Sequence, residues 1–246
     1  PDHLLKLGAF VPWLFQTQES NPSSSPPCRR AFGLLVRREQ WALSRLGRVV
    51  VLFFFLGASV LFHWVAYPFL AVTHPLRGEV LVLEGWLPMH CLARAAIEFT
   101  NAPYRRILIA RALYDGDDGV AYGHGAGEYA AAVLARNGVS PDAIAIVYFR
   151  GRKVDRTLHS ALAVREWLAE RRESVKSLDV VSLGPHARRS RLLYEQAFGA
   201  NARVGIIALP DPAYDPDRWW RSREGIRDVW GETLAYLYAR VLTFTD

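Results

Sequence analysis

A run of 25 residues without one charged side chain, Val49 to Thr73, is the strongest constraint this 246-residue chain carries. A helix rises about 1.5 Å per residue, so roughly 20 apolar residues cover the about 30 Å of a bilayer's hydrocarbon core. Val49 to Tyr67 is long enough for that. Trp64 and Tyr67 stand at the far end, where amphipathic rings favour the interface, and Pro68 follows where a helix would be ending. A secretory signal core is shorter and is followed by small residues, which the segment FHWVAYPF does not offer. A buried core helix is the competing reading of the same run.

The run also divides the charge. Residues 1–48 hold seven Lys or Arg against three Asp or Glu, which leaves 23 bases and 21 acids for residues 74–246. Arg29, Arg30, Arg37, Arg38, Arg45 and Arg48 precede the run closely, whereas only Arg77 follows it closely. The positive-inside rule therefore puts the N-terminus in the cytoplasm and the rest of the chain outside. Residues 17–30 (TQESNPSSSPPCRR) are too poor in apolar side chains to offset their ordering entropy. The expected organisation is a basic, partly disordered segment over 1–48, a transmembrane helix over 49–73 and a folded domain over 74–246.

Composition removes several function classes. The domain's near-neutral charge, with no Lys/Arg run interleaved by aromatics, excludes a nucleic-acid surface. Two cysteines, Cys28 and Cys91, fall on either side of the apolar run and make neither a disulfide framework nor a zinc site. No metal site is expected, and no cofactor is identified.

Beyond Glu79, β-branched runs alternate with amphipathic stretches. Strands are expected at 79–85, 105–113, 143–149, 177–183 and 203–210, with helices at about 88–100, 127–137, 155–172, 186–198 and 223–242. Near-continuous apolar strands are buried on both faces, and their alternation with helices implies crossovers into a parallel sheet. The fold class is α/β: a Rossmann-like three-layer sandwich with a mainly parallel five-stranded sheet, preceded by one transmembrane helix.

In such a sheet ligands bind beyond the carboxyl ends of the strands, so the residues that follow each strand carry the information. These are Glu84 after the first, Arg111 and the glycine-spaced loop ending in Glu128 after the second, and Arg152, Arg156 and Thr157 after the third. Ser182, His186, Arg188 and Arg189 follow the fourth. His186 and Arg189, three apart at a helix start, would project together beside free N–H groups that favour an anion. The arginines would make that ligand anionic; pairing with Glu84, Asp115, Asp155 and Glu128 would instead leave a neutral rim. The tandem Trp219-Trp220 would stack on a ligand, cap the core or face the bilayer. Neither a phosphate-binding glycine loop, a nucleophile elbow nor a zinc helix motif is present.

The segments EVLVLEGWLP, DRTLHSALAVREWL, VVSLGPHARRSRLLYEQAFG and DPDRWWRSREG…GETLAYLYAR resemble the YdcF/SanA-like family, domain of unknown function 218, over Glu79 to Arg240. The resemblance assigns Glu128, Thr157, Ser182, His186 and Arg189 to the family's motif positions. The chain departs from the pattern at Arg156, where the motif has Asn, and at His159 and Ser160. Membership implies a protein of the bacterial inner membrane, single-pass, with its domain extracytoplasmic and a role in the envelope barrier or in cell-wall precursor metabolism. For one branch it implies adenosylmethionine binding.

Two readings of different kind follow. In one, the domain is an envelope enzyme acting on an anionic, phosphorylated or lipid-linked precursor, with Glu128 as general base or metal ligand and His186 as acid or base, and Glu84, Arg111, Arg156, Thr157, Ser182, Arg188 and Arg189 binding the ligand. In the other it is a non-catalytic binding or scaffold module using the same pocket. A nucleotide or adenosylmethionine site is the third, and it suits a cytosolic domain better. Membrane lipid is the expected partner in each of the first two.

Overall fold

The computed structural model describes residues 29–30, 35–36, 44–115, 121–122, 124–151 and 155–243. The chain divides into two compact units, 1–53 and 54–246, with the division inside the first long helix. In the first unit, Arg29–Arg30 pairs antiparallel with Leu35–Val36.

Helix α1 runs from Arg45 to Leu70 and is long and apolar enough to cross a membrane. Pro68 lies inside its last turn rather than beyond it. His63, the one imidazole in the run, turns its Nδ1 onto the Ser59 carbonyl at 2.6 Å, so the helix itself satisfies this polar group.

In the second unit five strands form a parallel sheet: β1 Val80–Glu84, β2 Arg106–Asp115, β3 Ile144–Arg150, β4 Ser177–Leu183 and β5 Arg203–Leu209. Their spatial order is β3-β2-β1-β4-β5. A short antiparallel piece, Ala121–Tyr122, extends the end of β2. Strand β1 reads VLVLE and is buried at every position, the burial expected of a central strand covered on both faces.

Alternation along the strands sorts the core into two layers. Val80, Val82, Leu108, Val147 and Val180 face α4 (Arg156–Glu170) and α5 (Ala187–Phe198). Leu81, Leu83, Ile107, Ile109 and Val181 face α2 (Met89–Thr100) and α3 (His124–Arg136). A third cluster joins the end of α1 to the C-terminal helix α6 (Arg223–Thr243): Ala66 and Leu70 are buried with Tyr214, Trp219 and Val229. Trp219 stacks on His63 at 5.4 Å and its Nε1–H donates to the His63 carbonyl at 3.2 Å. The last turns of the apolar run thus belong to the core of the α/β unit, and Trp219 caps that core.

Residues just after α1 return to the sheet. His74 bridges to Ile206 on the edge strand β5, and the Thr73 hydroxyl accepts the Ala208 N–H. The Asp179 carboxylate, fully buried at the amino end of the sheet, accepts from the Leu76 and Gly78 amides and from the Tyr104 hydroxyl. Gly205 makes room for it, since a Cβ there would fall 1.8 Å from Asp179 Oδ1.

Candidate functional site

Strand order reverses between β1 and β4, the switch point where open α/β sheets bind ligands. A cavity of about 970 Å³ lies at their carboxyl ends. Its walls come from the ends of β1 and β2, the starts of α4 and α5, and one side of α6. Gly85 allows the floor to form: a Cβ there would lie 2.3 Å from the Ala110 carbonyl oxygen, which instead accepts the Gly85 N–H at 2.9 Å. Gly184, at φ +45°, supplies the left-handed turn that carries β4 into His186.

Glu84 is the buried acid of the site, 2% exposed. Ser182 Oγ donates to its Oε2 at 2.5 Å and Ser190 Oγ to its Oε1 at 2.8 Å, so burial is compensated by two hydroxyls on neighbouring elements. Ser182 lies beneath the cavity rather than in its wall, and acts on it through Glu84.

His186 is gripped from behind by Glu232, a residue of α6. Its Nδ1 lies 2.8 Å from both Glu232 Oε1 and the terminal nitrogen of Arg189, and its Nε2 lies 3.4 Å from Thr157 Oγ1 and 3.7 Å from Glu84 Oε1. Trp86 closes over the imidazole edge-to-face, centroids 4.9 Å apart. Arg189 forms a two-point pair with the same carboxylate, Nε to Oε2 at 2.8 Å and the terminal nitrogen to Oε1 at 3.0 Å. Burial alone would push the Glu232 carboxyl up, but the bonds and charges of His186 and Arg189 outweigh it and hold its pKa at about 2.

Of the residues that sequence reasoning assigns, Glu84, Arg111, Arg156, Thr157, His186 and Arg189 share this wall. Two do not. Glu128 is exposed on α3, in the layer on the opposite sheet face from α4 and α5, and accepts a hydrogen bond from Tyr148 at 2.8 Å. Burial, then that bond, pushes the Tyr148 phenol up to about 12. The pairing of Glu128 with His186 as joint acid and base is therefore corrected: following a strand's carboxyl end fixes the edge of the sheet, not the face. Arg188 is likewise outside the cavity. Its guanidinium lies 3.9 Å over the Phe69 ring and donates to the Phe69 carbonyl, capping the last turn of α1. Adjacent helical residues point about 100° apart, so only one of Arg188 and Arg189 can face the cavity. Arg152 lies outside the described residues.

The expected excess of positive charge is also smaller than the sequence implies. Four arginines in the wall (Arg111, Arg156, Arg189, Arg227) stand with five carboxylates (Glu84, Asp155, Asp211, Asp228, Glu232). Arg189 is paired through Glu232, a partner sequence reasoning missed. Arg111 is different: it donates to the Gly85 carbonyl, while its buried Nε has no hydrogen-bond partner among the described residues. Arg156 makes no ion pair among them, and it opens α4, whose first amides are free to meet an anion. No group of three or more His, Cys, Asp or Glu that could hold a metal occurs among the described residues.

Comparison with models of protein families, and with curated proteins, returns no match.

Proposed function

We propose that this is a membrane-anchored protein of the YdcF/SanA-like kind that takes the anionic headgroup of a cell-envelope precursor into the switch-point cavity, where His186 exchanges a proton with it. The observation that carries the reading is that Arg111 stands in the cavity wall with no carboxylate partner among the described residues, its guanidinium donating to the Gly85 carbonyl. A phosphate or carboxylate in the cavity would meet this guanidinium as a charge-assisted acceptor. Arg156 and the first turn of α4 stand on the same wall and favour the same sign of charge.

The proton chemistry resides at one atom. In the tautomer that gives Nδ1–H to Glu232, Nε2 is the nitrogen open to the ligand's proton. In the neutral ring the Thr157 hydroxyl donates to it; in the cation it faces the Glu84 carboxylate. Glu232 and Arg189 hold the ring without sharing the proton. The charge step across residues 45–77 supports a cytoplasmic N-terminus and an extracytoplasmic domain in a bacterial inner membrane.

The full chain, extracted in mild detergent and analysed by native mass spectrometry, should retain a phosphate- or carboxylate-bearing amphiphile. Arg111→Gln should retain several-fold less. Equal retention by wild type and variant would refute the anion site. His186→Gln separates the enzyme from the binding module, because a binding module keeps the retained species chemically unchanged with or without the imidazole.

A further inference from the structure

We infer that Thr157 is a nucleophile: its hydroxyl, held against His186 Nε2, attacks the phosphorus of the anionic headgroup and carries the phosphoryl group as a covalent intermediate. The inference rests on the function proposed above and gives that site a reaction class, phosphoryl transfer.

Three side chains from α6, the turn before α5 and α4 stand in series. Glu232 meets His186 Nδ1 at 2.8 Å, and Nε2, on the other side of the ring, lies 3.4 Å from Thr157 Oγ1. Carboxylate, imidazole and hydroxyl in that order are a recurring means of activating a weak oxygen nucleophile, and the contact to the hydroxyl is often loose before substrate arrives. Thr157 lines the cavity, and among the described residues the imidazole is the partner of its hydroxyl. The tautomer required carries its proton on Nδ1. In that form Nδ1–H and the Arg189 guanidinium both donate to Glu232, and Nε2 keeps the lone pair that accepts from Thr157. When Nε2 takes the hydroxyl proton the ring becomes a cation, and Glu84 Oε1, 3.7 Å from Nε2, faces the new charge. Ser182 and Ser190 fix Glu84 for that purpose.

The place of Thr157 in its helix suits the same step. It is the second residue of α4, so its hydroxyl sits beside amides that have no partner within the helix. Asp155, just before the helix, is held in the left-handed region at φ +54° and does not cap those amides with its side chain. Such backbone strain gathers where a reactive segment has to be aimed. A phosphorus under attack spreads charge over its equatorial oxygens, and the amides, Arg156 and Arg111 meet that charge from the same cavity.

The atoms balance. The bond from Thr157 Oγ1 to phosphorus forms as the bond from phosphorus to the leaving oxygen breaks, and the hydroxyl proton passes to Nε2 and from there to the leaving oxygen. Water then attacks the phosphorus and gives its proton to Nε2. The bond from phosphorus to Oγ1 breaks, and Nε2 returns the proton to Oγ1. The rival role for Thr157 is to hold the imidazole without reacting.

The test treats the full chain, in mild detergent, with an alkyl fluorophosphonate. Attack by Oγ1 expels fluoride and leaves an adduct that water does not release. Intact-mass spectrometry should show an adduct on the wild type, and peptide mapping should put it on Thr157. Thr157→Ser should be labelled at the same position, whereas Thr157→Val, of the same size without the hydroxyl, should carry none there while keeping the wild-type melting temperature. His186→Gln should be labelled about a hundredfold more slowly. A wild type without an adduct, an adduct confined to another residue, or labelling undiminished by His186→Gln would overturn the proposal and leave Thr157 a support for the ring. Retention of the anionic amphiphile, read in the same preparation, separates the two possible failures. An amphiphile retained without an adduct removes the nucleophile and leaves the anion site standing; loss of both removes the function proposed above.

Discussion

His186 and Glu232, forty-six residues apart, share a 2.8 Å hydrogen bond, and through it the last helix of the chain sets the orientation of a ring at the start of α5. Because this bond and the Arg189 pair hold the Glu232 carboxyl at about 2 instead of 4.5, Glu232 is a pH-dependent source of stability. Its folded pKa is depressed, so the contribution is full above about 4.5 and is lost as pH falls through 2. A shift of that size corresponds to about 3 kcal/mol, an upper value because the pair is partly exposed. Glu232→Gln should cost stability at pH 7 and progressively less toward pH 2, as measured by denaturant unfolding at a series of pH values. A constant difference would show that the charge of Glu232 plays no part.

Arg189 and Arg188 should behave as different kinds of residue. Removing Arg189 leaves Glu232 with one charged partner in a mostly buried site, so Arg189→Ala is expected to cost about 2 to 3 kcal/mol and is not a silent surface change. Arg188→Ala should leave Glu232 untouched and instead loosen the last turn of α1, seen as faster amide exchange near Phe69. Exchange near Phe69 unaffected by Arg188→Ala would remove the capping role.

The two glycines flanking the cavity predict opposite outcomes. A Cβ at Gly231, in α6, meets nothing within 4 Å, so Gly231→Ala should raise stability by about 0.5 to 1 kcal/mol through the unfolded chain's entropy. Gly85→Ala drives a methyl into the Ala110 carbonyl at 2.3 Å and should lower the melting temperature. Thermal unfolding of both variants checks this directly.

Much of the sheet was legible because its strands are near-continuous apolar runs: VLVLE and SLDVVSL declare burial on both faces by their composition. Helix boundaries fell within a few residues for the same reason. The site was legible only as an edge. Counting residues after strands gathers Glu84, Arg111, Thr157 and His186 correctly, but it cannot say that α3 packs on the other face and takes Glu128 with it. Glu232 went unnoticed although it is the only acid between Asp228 and Asp246, set in an apolar helical stretch. An interior acid with that company has to find a buried partner, and the unpaired bases at the start of α5 were the candidates. The end of the apolar run was misleading in another way: hydropathy measures length, not which turns are claimed by protein. Ala66 and Leu70 carry no mark distinguishing them from Val50.

That last point has a practical outcome. A fragment beginning at residue 74 removes Ala66 and Leu70 from the cluster around Trp219, exposing the Tyr214, Trp219 and Val229 side chains they cover. Losing the buried leucine alone costs about 1.5 to 3 kcal/mol. The fragment should aggregate or melt lower than one beginning at residue 60, as judged by size-exclusion chromatography and thermal unfolding. Equal behaviour would mean that the end of α1 contributes nothing to the domain.

The pairing of residues 73 and 74 with β5 links the end of α1 to a strand made about 135 residues later in synthesis. The segment after α1 therefore waits, with its edge partner unmade, until nearly the whole domain has emerged. Once closed, the joint ties the end of α1 to the edge strand Arg203–Leu209, in addition to its packing on Trp219. The cavity at the carboxyl ends of β1 and β4 is thus completed only after both ends of the domain, α1 and α6, have found the sheet.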